Sequence, residues 1–196
     1  TAGRAIIVTG VGQHQMFAAQ HYGFTEPNTW ITSGGLGTMG FEVPAAMWAA
    51  VARPDRIVWS IAGDGGFQMT MSELATIVEQ RLPIKFAILN NNSLGMVRQL
   101  QDLFYDGVRV ATAYSGNPDF VKLAEAYGIW AIRVSDPTRV RDAIDQANAV
   151  DGPTLIDFDI APEENVYPHL PAGGTAAEMI EGPVESAEKG APAWLS

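Results

Sequence analysis

The sequence predicts an α/β domain of three layers, a mostly parallel sheet of six strands with helices on both faces. Short apolar runs rich in isoleucine and valine recur without polar alternation, as expected of strands buried on both sides. Between most of them lie helical stretches with their own start and stop residues, the strand–helix–strand rhythm that calls for parallel pairing. A length of 196 residues suits one such domain with a substantial core.

The elements follow in order. Strands are expected at 5–9, 29–32, 57–62, 84–89, 130–134 and 154–159. The first helix should begin near Gly12-Gln13-His14 and run to His21. The second follows Gly40, with Pro44 in its first turn and Ala45, Ala46, Ala49 and Ala50 packing closely. Thr70 with Glu73 reads as a capping box for a third helix, with Leu74, Ile77 and Val78 on one face, ending at Arg81-Leu82-Pro83. Asn117-Pro118-Asp119 supplies a cap, a first-turn proline and an acid for another helix, closed by Gly128. Asp136-Pro137 opens the last, with Val140, Ala143, Ile144 and Ala147 inward. Beyond Leu170 the chain is rich in Gly, Ala, Pro and Glu and is expected to be loosely held, apart from a turn of helix at 178–180. The expected organisation is therefore a domain over 1–170 and an acidic tail over 171–196. The chain opens on Thr1, with no initiator methionine and no signal-like segment, and leads straight into a strand. It is expected to be a domain of a longer protein whose upstream domains lie outside it.

Composition excludes several classes of function. Acids outnumber bases 22 to 12, a net charge of −10, which argues against a nucleic-acid partner. No run approaches the length of a membrane span. The absence of cysteine removes disulfides and thiolate metal sites and is compatible with a cytoplasmic location.

Chemistry concentrates where strands should end. Ile57-Val58-Trp59-Ser60-Ile61 leads to Gly63-Asp64-Gly65-Gly66, and Ile84-Lys85-Phe86-Ala87-Ile88-Leu89 leads to Asn90-Asn91-Asn92. Either piece alone is ordinary turn chemistry. Side by side at the mouths of two buried strands, they offer one carboxylate and an amide carbonyl, hard oxygen ligands suited to Mg²⁺. Gly65 and Gly66 let a phosphate approach the main chain. Gly10-Val11-Gly12-Gln13-His14, a glycine turn between strand and helix, forms a second anion site by geometry. Gly34-Gly35-Leu36-Gly37-Thr38-Met39-Gly40 also precedes a helix but lacks the spacing of a dinucleotide fingerprint.

The spacing of Gly-Asp-Gly and Asn-Asn resembles the metal and diphosphate motif of thiamine-diphosphate enzymes. Thr9 to Met16, Thr32 to Gly40, Asn117 to Ala126 and Asn165-Val166-Tyr167-Pro168 look more specifically like the acetolactate synthase (acetohydroxyacid synthase) family, in the C-terminal third of its large catalytic subunit. The resemblance implies the thiamine-diphosphate-binding fold. It implies diphosphate contacts from Val11, Gly12, Gln13 and His14, with Gly65, Gly66, Gly95 and Met96 close by. It also implies a carbonyl of Gly37 facing the pyrimidine amino group and Met39 wedged between the two rings, a role suited to a bulky, adaptable side chain. The Leu94-Gly95-Met96 anchor makes Asn91 the metal ligand beside Asp64, with the Ser93 carbonyl completing the protein's share.

The implied reaction joins pyruvate to a second 2-keto acid, as in branched-chain amino acid synthesis. No catalytic residue is expected in this chain, because the family's activating glutamate belongs to the N-terminal domain of a neighbouring subunit. A homo-oligomer and a small regulatory subunit are further implied partners, and FAD, if used, would bind elsewhere in the longer protein. Two residues depart from the family pattern. Leu100 stands at the acceptor-substrate position where tryptophan is usual, and Glu42 replaces a glycine, where a carboxylate at a helix start should be electrostatically comfortable. Three other readings stay open: a different thiamine-diphosphate carboligase or decarboxylase acting on glyoxylate or sulfoacetaldehyde, a non-catalytic Mg²⁺ and cofactor-binding domain, and a nucleotide-binding regulatory module.

Overall fold

A computed structural model describes residues 1–183. Six strands form one sheet: β1 (Ile6–Thr9), β2 (Trp30–Thr32), β3 (Val58–Gly63), β4 (Ile84–Asn90), β5 (Trp130–Val134) and β6 (Thr154–Asp159). Their order is β2-β1-β3-β4-β6-β5, and every pair is parallel. The expected strands are all present, with ends shifted by a residue at most.

Period-two alternation divides the core between the two faces. Ile6 and Val8 of β1, Phe86 and Ile88 of β4 and Leu155 of β6 join Val43, Ala46, Ala49, Phe67, Leu74, Ile77 and Phe120 on one side. Ile7, Trp59, Ala87, Ile156 and Phe158 face the other, with Ala143 and Ala147. The first face is therefore covered by α2 (Glu42–Ala52), α3 (Asp64–Thr70), α4 (Leu74–Glu79) and α6 (Phe120–Ala126), the second by α7 (Val140–Ala149). Phe67 is completely buried and meets Phe86 and Phe120 edge-on, with ring centroids 5.7 and 5.8 Å away. That aromatic packing holds the short α3 down on the sheet.

Three local expectations are corrected. The helix after β3 starts at Asp64 itself, so Thr70 lies at its end. Thr70 Oγ1 donates to the Gly40 carbonyl at 2.9 Å instead of capping, and no side-chain cap forms at Glu73. Asn117 caps nothing: Asp119 is the N-cap of α6, accepting from the Lys122 N–H, because Asn117 is drawn away to the end of β3. A helix not foreseen from the sequence, α5 (Gly95–Phe104), follows the asparagines. It begins on a glycine with no side-chain cap, so its start carries no local signal.

The first helix, α1 (Gln13–His21), and the Asp136 cap with Pro137 are as expected, and Gly128 ends α6 at a φ of +74°. Past β6, Thr175 and Glu178 form a capping box on a short 3₁₀ turn over Ala176–Glu178, and His169 and Ile180 exchange two backbone hydrogen bonds of 2.8 Å. The rest of the tail read from composition, 184–196, lies outside the described residues.

Candidate functional site

Parallel pairing places the carboxyl ends of β1, β3 and β4 next to one another, and each is followed at once by a turn or helix. A cleft of about 590 Å³, including its open mouth, forms there. Val11, Gly12, Gln13, His14, Met39, Asp64, Gly65, Gly66, Asn91, Ser93, Gly95 and Met96 all line it. Gly37 and Leu100 stand outside this lining. Gly37 is exposed at a φ of +65°. Leu100 is half-buried one turn beyond Met96 on α5.

The glycines are here for space. A Cβ at Gly12 would lie 2.9 Å from His14 Cε1, and one at Gly63 2.8 Å from His14 Nδ1. At Gly65 it would collide with the Tyr114 hydroxyl, and at Gly95 with Gln13 Oε1. Only glycine lets these backbones pass so close to the side chains around the cleft.

The three asparagines do three different jobs. Asn90 is buried at the end of β4, donates to Asp157 Oδ1 at 3.1 Å and accepts from the Asn92 N–H. Asn92 adopts φ +53°, a left-handed conformation that asparagine tolerates. Asn91 alone faces the cleft: its carbonyl accepts from the Ser93 N–H at 3.1 Å and its amide donates to Gln13 Oε1 at 3.3 Å. Gln13 is itself held by Gln99 and the Glu164 carbonyl, at 3.0 and 2.9 Å.

Asp64 is 1% exposed, and burial pushes its carboxyl above the usual carboxylate range, opposed by a hydrogen bond from Asn117. His14 is buried with no partner for Nε2, and burial lowers its pKa to about 4, so the ring is neutral at pH 7. The donor set suits a phosphate–cation pair: one carboxylate, one amide carbonyl, a glycine cradle and an unpartnered ring nitrogen in the cleft wall. Among the described residues, no group of three or more His, Cys, Asp or Glu side chains could hold a metal unaided. Any cation would need further oxygens from a ligand.

Glu42 does not sit comfortably at the start of α2. It is wholly buried, its carboxyl packs against Gly10 and Gly66, and neither oxygen finds a well-formed hydrogen bond. Burial outweighs the nearby Gly40 and Glu42 N–H groups and raises its pKa to about 7. Asp102 is ion-paired to Arg98 at 3.0 Å and to Arg109 at 2.7 Å. Asn117, Gln68, Gln99 and Tyr114 also shape the site and were not assigned to it from the sequence, which offered Asn117 only as a helix cap. Asn117 lies 53 residues from its partner Asp64, and no local pattern marks it.

The family model described as "Thiamine pyrophosphate enzyme, C-terminal TPP binding domain" matches residues 10–158. Three curated proteins are similar over most of the chain. An acetolactate synthase of Mycobacterium leprae is 50% identical over 180 residues, 89% of this chain and 29% of that protein. The chloroplastic acetolactate synthase 1 of Nicotiana tabacum is 48% identical over 188 residues, 92% and 28% respectively. The acetolactate synthase isozyme 2 large subunit of Escherichia coli K12 is 47% identical over 176 residues, 90% and 32%. The chain thus spans under a third of the length of these relatives. No helix among the described residues is long and apolar enough to cross a membrane.

Proposed function

The chain belongs to the thiamine pyrophosphate enzymes, as their C-terminal TPP-binding domain, and from that membership we propose that its cleft holds the Mg²⁺–diphosphate end of the cofactor for an acetolactate synthase. The observation that carries this reading is the pairing of Asp64 and Asn91 at adjacent strand ends, beside the unpartnered Nε2 of His14. Asp64, the Asn91 carbonyl and the Ser93 carbonyl would hold the cation. Neutral His14 would donate from Nε2 to a phosphate oxygen. Gly12, Gly65 and Gly95 would let the main chain approach, and Met39, in the cleft lining, would wedge between the two rings of the cofactor. When bound, thiamine diphosphate supplies the thiazolium ring on which 2-keto acids lose carbon dioxide. The proposed substrates are pyruvate and a second 2-keto acid, with Leu100 as part of the acceptor's surroundings. A glutamate from another domain of a homo-oligomeric, cytoplasmic enzyme would complete the active site.

Thermal denaturation tests the cation assignment. Mg²⁺ and thiamine diphosphate together should stabilise the protein more than either alone, because each completes the other's ligand shell. Asp64→Ala should abolish the joint effect. Equal stabilisation of the wild type and the variant would remove Asp64 from the metal site.

A further inference from the structure

Asp64 is held from behind by a residue that does not line the cleft. Asn117 Nδ2 donates to Asp64 Oδ2 at 2.7 Å, to Asn92 Oδ1 at 3.0 Å and to Asn90 Oδ1 at 3.1 Å. Two hydrogens thus serve three acceptors, drawn from the ends of both strands that frame the site. The far side of the same amide is fixed as well. Asn117 Oδ1 accepts from Gln68 Nε2 at 3.0 Å, and Gln68 also donates to the Asp64 carbonyl at 3.2 Å. Because Gln68 stands on α3, the helix that Asp64 opens, any rotation of the Asn117 amide breaks bonds on two sides at once.

The backbone of Asn117 is anchored through a second route. Two residues on, Asp119 caps α6 and accepts from Arg133 at 3.2 Å. Arg133 also pairs at 3.0 Å with the completely buried Asp157, whose other oxygen accepts from Asn90 at 3.1 Å. Asn90 then accepts from Asn117. The ring runs through Asn117, Asn90, Asp157, Arg133 and Asp119 and closes along the backbone from Asp119 to Asn117, which holds Asp64. A carboxylate gripped in this way has one oxygen fixed on Asn117 at the wall of the cleft that Asp64 lines.

We propose that Asn117 is a positioning residue for Asp64, setting the carboxylate rotamer that receives the cation, an inference that rests on the cofactor reading above. Partners that orient a metal ligand change metal affinity by about 10–100-fold when removed. In Asn117→Ala, the Mg²⁺ concentration giving half-maximal stabilisation at saturating thiamine diphosphate should rise at least about tenfold. Mn²⁺ binding read by electron paramagnetic resonance, with the cofactor present, should weaken in parallel. Gln68→Met keeps the volume of the side chain but frees the amide, and should shift the same midpoint about threefold, below the range for direct orienting partners because Gln68 acts one step further out. A purely structural role for Asn117 would lower the melting temperature without ligand and leave both Mg²⁺ midpoints in place, which would overturn the inference. If Asn117→Ala does not fold, an unshifted midpoint in Gln68→Met overturns it equally. A wild-type protein with no joint response to Mg²⁺ and cofactor would instead overturn the cofactor reading itself, and this inference with it.

Discussion

The two ends of the sheet treat buried polar groups in opposite ways. At the amino end, Lys85 of β4 is 3% exposed, yet its ammonium donates to the Val150 and Gly152 carbonyls, both at 2.7 Å. Arg56, just ahead of β3, pairs with Glu26 and donates to the Arg4 carbonyl at 2.9 Å. At the carboxyl end, His14 Nε2, both oxygens of Glu42 and Arg98 Nε are buried without a well-formed partner. The other unpartnered buried side-chain atoms among the described residues are two hydroxyls, those of Ser60 and Thr154. Buried polar groups are normally satisfied, and the ones that are not call for an explanation. At the amino end Lys85 and Arg56 are partnered, and the Thr154 hydroxyl at the start of β6 is the buried polar atom left over there among the described residues. The carboxyl end leaves ionisable groups unsatisfied beside an open cleft, the pattern of a site shaped for a ligand.

Substitutions at the two ends should therefore differ in kind. Lys85→Ala should have the largest effect on stability, roughly 3–4 kcal/mol, from two half-buried carbonyls left unpaired and the lost packing of the side-chain stem. Urea denaturation checks the loss, and Mg²⁺-dependent stabilisation by the cofactor should survive. Loss of that response would mean that the amino end is not merely structural.

Glu42 should give a stability that falls with pH. Its folded pKa of about 7 lies above the ordinary value of 4.5, so the folded state holds the proton more tightly. Stability should be greatest below about pH 4.5 as far as this group is concerned, and should decline as pH rises through 7, by about 3 kcal/mol at most. Glu42→Gln should flatten that limb and be more stable than the wild type at pH 8. A wild type without the alkaline decline would mean that the carboxyl is hydrated or partnered when folded.

His14 should act in the opposite direction and more weakly, because it lines an open cleft. Its folded pKa of about 4 lies below 6.5, so its share of stability is intact above pH 6.5 and is lost as pH falls towards 4. We expect about 2 kcal/mol over that range, absent in His14→Gln. Identical acid limbs for the two proteins would show that the ring takes up a proton without difficulty and is not held neutral.

The strands and most helices were legible in the sequence because their signals are local. Short, mostly apolar runs mark β1, β3, β4 and β6, and Asp136-Pro137 marks its helix start, whatever surrounds them. Where a side chain had a better distant partner, the local reading failed. Thr70 serves the Gly40 carbonyl and Asn117 serves Asp64, so neither caps the helix its position suggested.

The same division runs through the site. Residue type and spacing alone brought out Asp64, the glycines and the asparagine run, because hard oxygen donors at successive strand ends must meet wherever those strands lie side by side. Residue type alone did not separate the three asparagines and the family resemblance pointed to Asn91; the physical reason lies in the tertiary structure, where the turn after β4 sends Asn91 outward while Asn90 turns to Asp157. Tertiary structure also decided the protonation preferences of Glu42 and His14. A carboxyl at a helix start looks stabilised in one dimension, but desolvation depends on what packs around it, and Gly10 and Gly66 arrive from distant parts of the chain.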